Sequence, residues 1–274
     1  MTDIGLAQIV DALCMARQAT ARLPFLVGIA GSQGSGKSTL ARKIETILLA
    51  RGLRVATLSI DDLYLPRAER QRLATEVHPL LAVRGVPGTH DVALGHAVFE
   101  ACSRPGSVSL PRFAKEMDDR LPFERWGSAE GPLDILLFEG WCVGAGPQDE
   151  VELEQPVNAL ERERDGDGRW RRWVNLRLAT DYARLFARID WQIFLAAPSF
   201  DVVAGWRREQ EQDLRRRLAA SGESIEGTMD DVQIDRFVEF YQRITEHMLD
   251  DMPRRAELTI LLDHQRRWQS RLSR

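Results

Sequence analysis

Gly31-Ser-Gln-Gly-Ser-Gly36-Lys37-Ser38 fills every fixed position of the pattern G-x-x-x-x-G-K-[ST]. It lies between an apolar run, Phe25-Leu-Val-Gly-Ile-Ala30, and a helical pattern from Lys37 to Ala50 that Gly52 closes. A glycine-rich turn in that setting can aim backbone N–H groups at phosphate oxygens, and the helix N-terminus adds partial positive charge. Arg54-Val-Ala-Thr-Leu-Ser-Ile60 reads as a second strand that stops at Asp61-Asp62. Strand, helix and strand in this order form a βαβ unit with parallel strands. The motif therefore commits the chain to an α/β sheet before any other segment is read.

The remaining segments extend that sheet. Leu133–Phe138, Trp191–Ala196 and Leu258–Leu262 are short apolar runs of strand character. Helical spacing covers Val92–Ala101, Trp173–Ala187, Phe200–Ala219 and Met229–Leu249, and an amphipathic helix over Ile4–Arg22 precedes Pro24. Five strands alternating with helices predict an open, five-stranded parallel sheet covered on both faces. We expect one P-loop domain over residues 1–274. Proline, glycine and charge concentrate at 66–90, 103–132 and 144–170. Segments of that length are long for connectors and are expected to be functional loops or lids. The arginine-rich stretch Arg162–Arg177 is compatible with a solvated helix face.

Composition narrows the function. A net charge of −4 argues against a nucleic-acid binder with a broad basic face. No run approaches the ~20 apolar residues of a membrane span. The N-terminus lacks a basic segment followed by an apolar one, and Cys14, Cys102 and Cys142 form no C-x-x-C pair. Both features suit a reducing cytoplasm. Lysine occurs only at 37, 43 and 115 among 37 Lys plus Arg, so each lysine draws notice.

The loop residues Gly31, Ser32, Gln33, Gly34, Ser35, Gly36, Lys37, Ser38 and Thr39 are the candidate site for ATP phosphates. Lys37 is expected to reach the β- and γ-phosphates, and the Ser38 hydroxyl to ligate Mg²⁺. Glu139, at the C-terminal tip of the third strand and followed by Gly140, is the second candidate Mg²⁺ ligand. Phosphoryl transfer needs a carboxylate to orient and deprotonate the acceptor hydroxyl, and Asp61 is placed for that at the end of the second strand. Asp62 caps the following turn or reaches the acceptor. No N-K-x-D or T-K-x-D stretch and no L-S-G-G-Q stretch occurs, which disfavours a GTPase switch and a transporter ATPase. A small-molecule kinase remains.

Several further stretches resemble the D-glycerate 3-kinase family of the plant type, which groups with phosphoribulokinase, uridine kinase and pantothenate kinase. They are Ser59-Ile-Asp-Asp-Leu-Tyr-Leu65, Arg84-Gly-Val-Pro-Gly-Thr-His-Asp91, Asp119-Arg120 and Phe138-Glu-Gly-Trp141. Pro156-Val-Asn-Ala-Leu-Glu161, Gly168-Arg-Trp-Arg171 and Trp206-Arg-Arg-Glu-Gln210 extend the resemblance over most of residues 25–265. It implies ATP-dependent phosphorylation of a primary hydroxyl on a small acid, D-glycerate giving 3-phosphoglycerate. It also implies a sheet ordered 2-3-1-4-5, Asp61 as base, and Tyr64, His90 and Asp91 at the acceptor. Residues 66–132 would carry the acceptor loops, with insertion and lid regions at 144–172 and 199–220. Arg207, in preference to Arg208, would approach the transferred phosphate.

The family's proline-led loop has aspartate before lysine, whereas Pro111-Arg-Phe-Ala-Lys115 has Ala114. Arg84, Lys115 and Arg120 remain as cations able to grip a carboxylate. The rival readings are a kinase of a nucleoside, sugar or cofactor precursor, and a nucleotide-dependent interaction protein with decayed catalysis. Retention of Lys37, Ser38, Asp61 and Glu139 weighs against decay.

Overall fold

The computed structural model describes residues 3–222, 224 and 228–273. Helix α1 (Asp3–Gln18) leads into β1 (Phe25–Gly31), whose seven residues are all buried. Helix α2 (Lys37–Ala50) crosses back to β2 (Val55–Ser59). Then come α3 (Arg67–Glu76) and α4 (Val92–Ala101), an antiparallel ribbon of β3 (Gly106–Leu110) with β6 (Gly127–Gly131), and inside it a small hairpin of β4 (Phe113–Ala114) with β5 (Asp119–Arg120). Strand β7 (Ile135–Gly140) re-enters the core. After it run α5 (Ala159–Arg164), α6 (Arg169–Arg177), α7 (Ala183–Phe186) and β8 (Trp191–Ala196). Helices α8 (Asp201–Ser221) and α9 (Asp231–Arg255) precede β9 (Leu258–Leu262) and β10 (Trp268–Ser273).

The central sheet is ordered β10-β9-β8-β1-β7-β2. Its five parallel strands, taken in chain order, run 2-3-1-4-5. The expectation of five strands is corrected by β10, which pairs antiparallel with β9. Asp263 makes that reversal: its amide donates to the Arg267 carbonyl at 2.9 Å and its Oδ1 accepts from the Gln265 and Arg267 amides. An Asp-anchored turn of this kind lets the chain fold straight back on itself.

One sheet face packs Ile29, Leu137 and Ile193 against Val10 and Leu13 of α1 and Ile44 and Leu48 of α2. The other packs Leu58, Leu136 and Phe194 against Phe99, Tyr182, Ile244 and Met248. Three sequence expectations change in detail. The segments 66–90, 103–132 and 144–170 carry α3, the two ribbons and α5, so they are structured excursions. The helix expected at Trp173–Ala187 starts at Arg169 and widens into a π turn at Leu178–Tyr182, where Tyr182 is buried against Phe186 and His90. The second strand ends at Ser59, and Ile60–Leu63 form a 3-10 turn that carries both aspartates.

The arginine-rich stretch is not simply a solvated face. Arg171 is buried, pairs with Asp165 at 2.9 Å and donates to the Leu153 and Glu154 carbonyls. On α9, buried Arg243 pairs with Glu161 at 2.6 Å and donates to the carbonyls of Glu152 and Gln155. Arg171 ties segment 148–172 together internally, and Arg243 binds that segment to α9. Removing one partner of a buried pair strands the other charge, at about 3–5 kcal/mol. Arg243→Met is therefore expected to lower the urea midpoint by that equivalent. A loss under about 1 kcal/mol would mean that packing alone holds the segment.

Candidate active site

Gly34 (φ 80°) and Gly36 (φ 93°, the N-cap of α2) turn the chain through the left-handed region that side chains resist. Gly34 also lies against Trp206 of α8, where an added Cβ would fall 2.6 Å from the tryptophan Cβ. The loop interior carries unused polar atoms. The hydroxyls of Ser32 and Ser35 and Oε1 of Gln33 are buried without a hydrogen-bond partner. Two free hydroxyl donors, a helix N-terminus and Lys37 at its first position suit polyphosphate oxygens. Thr39 follows on the exposed first turn of α2.

Strand register sets the carboxylate beside this loop. In the β1–β7 ladder Ile29 faces Glu139 and Ala30 faces Gly140. Glu139 Oε1 accepts from Ser38 Oγ at 2.9 Å, while Oε2 is buried and unpartnered. An orphaned carboxylate oxygen next to a serine hydroxyl is a hard-oxygen donor set that fits Mg²⁺. Gly140 makes room for a neighbour: a Cβ there would collide with the Ile60 side chain.

Asp61 and Asp62 diverge on the 3-10 turn. Asp61 Oδ2 accepts from Lys115 Nζ at 2.6 Å. Burial alone would raise the Asp61 carboxyl; the Lys115 ammonium, with Lys37 behind it, outweighs that and holds it below its ordinary value. Asp62 accepts from the Phe113 amide at 3.1 Å and from Arg112 at 2.9 Å. It thus ties the turn to the β4–β5 hairpin, and burial raises its carboxyl.

Around them stands an aromatic wall. Tyr64 stacks on His90 with centroids 4.5 Å apart, and His90 Nδ1 is 2.6 Å from the Tyr182 hydroxyl. His90 is buried with Nε2 unpartnered, and burial pushes its imidazole down to about 4. Asp91 caps α4 by accepting from the Leu94 amide at 2.9 Å and pairs with Arg120 at 3.2 Å. Arg120 also donates to the Tyr64 carbonyl at 3.0 Å. Asp91 and Arg120, expected at the acceptor, pair with one another, and Arg120 also braces the Tyr64 backbone while its Nε stays buried without a partner. Arg84 pairs with Asp118 and lies over the Phe113 ring. Arg207 pairs with Glu211 at 2.6 Å and lies over Phe237, whereas Arg208 turns to Asp235.

Sequence reading missed Tyr241, Tyr182, Arg112 and Asp118. Tyr241, buried on α9, packs against Trp141 and Phe237, and its hydroxyl fills the space a Cβ would need at Gly85. Nothing near residue 241 in the sequence marks it; the only signal is Gly85 inside the Arg84–Asp91 motif. Asp118 holds both Arg84 and the buried Arg70.

The P-loop, the strand-borne Glu139 and the carboxylate turn on one sheet rim define a P-loop kinase. The family model for methylmalonyl Co-A mutase-associated GTPase MeaB matches residues 7–64, the segment holding the phosphate loop and the first βαβ unit. A relative in Schizosaccharomyces pombe, the uncharacterized kinase mug58, is 34% identical over 233 residues, covering 80% of this chain and 78% of that protein. The chloroplastic D-glycerate 3-kinase of Arabidopsis thaliana is 29% identical over 231 residues, 80% of this chain and 46% of that protein. A solved D-glycerate 3-kinase from Cryptococcus neoformans has the same fold, with TM-score 0.81, 24% identity and full coverage of both chains. The chain belongs to the D-glycerate 3-kinase family of P-loop kinases and is an ATP-dependent phosphotransferase acting on a small molecule. Among the described residues no helix is long and apolar enough to cross a membrane.

The buried imidazole sets a pH dependence. His90 has an ordinary value of 6.5 and a folded value of about 4. Between the two, the unfolded chain binds a proton that the folded chain does not. The associated stability is present above the upper value and is lost as pH falls toward the lower one. Relative to His90→Gln, the wild-type protein is expected to lose about 2–3 kcal/mol between about pH 7 and about pH 4.5 in urea unfolding. Equal losses in both proteins would mean that the folded His90 imidazole binds its proton as readily as the unfolded one.

Proposed function

We propose that this kinase transfers the γ-phosphoryl group of ATP to a primary hydroxyl of a small hydroxy acid, D-glycerate giving 3-phosphoglycerate. The observation that carries the reading is the Asp61–Lys115 contact at 2.6 Å, on the same sheet rim as the Ser38–Glu139 pair. A base and a cation together are what an acceptor bearing both a hydroxyl and a carboxylate calls for. The name of the Arabidopsis relative supports the same acceptor class.

In this reading backbone N–H groups of Gly31–Thr39 and the Ser32 and Ser35 hydroxyls cradle the phosphates. Lys37 follows charge onto the transferring group. Ser38 and Glu139 hold Mg²⁺, which supplies charge neutralisation at the phosphates when bound. Asp61 orients the acceptor hydroxyl and takes its proton. His90 stays neutral and offers Nε2 to the acceptor from the Tyr64 stack, with Tyr241 closing the pocket beside Gly85. Lys115, Arg84 and Arg120 are the cations offered to the acceptor's carboxylate; Arg84 is also held by Asp118 and Arg120 by Asp91, and the Arg120 Nε is buried without a partner. Residues 66–132 form the acceptor side and 144–172 an insertion that supports α9. Residues 199–220 serve as a lid that brings Arg207 to the transferred phosphate and excludes water.

A coupled ADP-release screen over glycerate, pantothenate, uridine, ribulose 5-phosphate and simple polyols tests the acceptor. Glycerate is expected to give the highest kcat/KM; a neutral nucleoside or polyol leading the series would refute the reading. Asp61→Asn keeps size and shape but cannot accept a proton, so kcat is expected to fall by ~10²–10⁴ with ATP binding little changed. Asp62→Asn is expected to reduce thermal stability more than kcat, because its carboxylate holds the hairpin. If the two variants fall in the opposite order, Asp62 is the base.

A further inference from the structure

Lys115 stands apart in three observations. It sits on the turn joining β4 to β5, one of only three lysines in a chain that otherwise uses arginine for its basic residues. Its ammonium is 2.6 Å from Asp61 Oδ2, yet the side chain is 59% exposed while Asp61 is 29% exposed. The hairpin beneath it is clamped independently: Asp62 holds Arg112 and the Phe113 amide, and Asp118 holds Arg70 and Arg84. The frame is therefore fixed and the lysine stem is the part free to swing. The lysine end of the pair is largely exposed although Asp61 is mostly covered, and an ammonium is a compact, hydrated point charge that leaves readily into solvent. An arginine at this position would offer a planar fork able to hold both oxygens of Asp61 at once.

Building on the acidic-acceptor reading above, we propose that Lys115 is a removable counter-ion that makes Asp61 available as a base only when an acidic acceptor is bound. With the pocket empty, the ammonium occupies the oxygen of Asp61 that would take a proton. The carboxylate of the incoming acceptor draws Lys115 off. The acceptor O–H bond then breaks with its proton passing to Asp61, and the oxygen bonds to the γ-phosphorus. The bond from that phosphorus to the β,γ-bridging oxygen breaks, leaving the electron pair on ADP. Water carries no carboxylate and cannot displace Lys115, so the same contact restrains wasteful hydrolysis of ATP.

The test is ADP release without any acceptor, measured for wild type, Lys115→Met, Lys115→Arg and the Lys115→Met/Asp61→Asn double variant. Unchanged thermal melting is expected for the single variants, since the lysine is mostly in solvent. Lys115→Met is expected to raise hydrolysis about tenfold, part of the ~10²–10⁴ a general base contributes, and the double variant to abolish the rise. Lys115→Met is also expected to raise KM for the acid. Lys115→Arg is expected to keep hydrolysis low and to lower kcat for transfer. Hydrolysis at the wild-type level in Lys115→Met, or a rise that survives in the double variant, overturns the counter-ion role. So does full transfer activity in Lys115→Arg. A neutral best acceptor overturns the acidic-acceptor reading and its carboxylate trigger, whereas flat hydrolysis with an acid as best acceptor overturns the counter-ion alone.

Discussion

Six consecutive residue pairs hold β1 against β7, from Phe25 opposite Ile135 to Ala30 opposite Gly140. The rest of the site hangs on that register. Because side chains alternate along a strand, a slip of one residue would turn Glu139 to the other face of the sheet, away from Ser38. Strand β2 pairs with β7 on its far side and ends with Ser59 opposite Glu139. The 3-10 turn bearing Asp61 therefore starts level with the carboxylate and the phosphate loop. Burial on both faces fixes the register, since Ile29 and Leu137 point into one core and Leu136 and Phe138 into the other. Core packing and the placement of reactive groups are one constraint here.

Polar groups near the site divide by how completely they are satisfied. Asp62, Asp91 and Arg70 are taken up by hydrogen bonds that hold loops to the sheet rim. Ser32, Ser35, Glu139, His90 and the Nε of Arg120 keep buried atoms with no partner. Buried polar atoms are ordinarily paired, so a cluster of exceptions lining one rim marks where a ligand completes the set. The division separates residues that build the pocket from residues that face its contents, which residue type alone does not do.

That division also explains what could be read in the chain beforehand. The βαβ unit, the phosphate loop and Glu139 were legible because each rests on short-range pattern: apolar runs, glycine spacing and an acid at a strand tip. The Asp61–Asp62 pair was legible as a pair, but its division of roles depends on the β4–β5 hairpin, fifty residues away. Arg120 was legible as a cation, but its pairing with Asp91 and the Tyr64 carbonyl depends on the fold. Tyr241 was invisible because it reaches Gly85 from α9, across most of the chain. The sixth strand escaped notice because Trp268–Ser273 mixes polar and apolar residues at the sheet edge, where no continuous apolar run is needed.

The Ala114 departure takes its meaning from the same hairpin. Ala114 is buried opposite Asp119 in the β4–β5 pairing. A carboxylate at 114 would have to be buried there. With alanine there, Lys115 has Asp61 as its partner, and the hairpin is anchored by Asp62 and by Asp118, which pairs with Arg70 and Arg84. With one acidic group fewer in the loop, Asp61 and Lys115 pair with each other. A substitution that reads as decay when taken alone is, in its place in the fold, compatible with an intact transfer site.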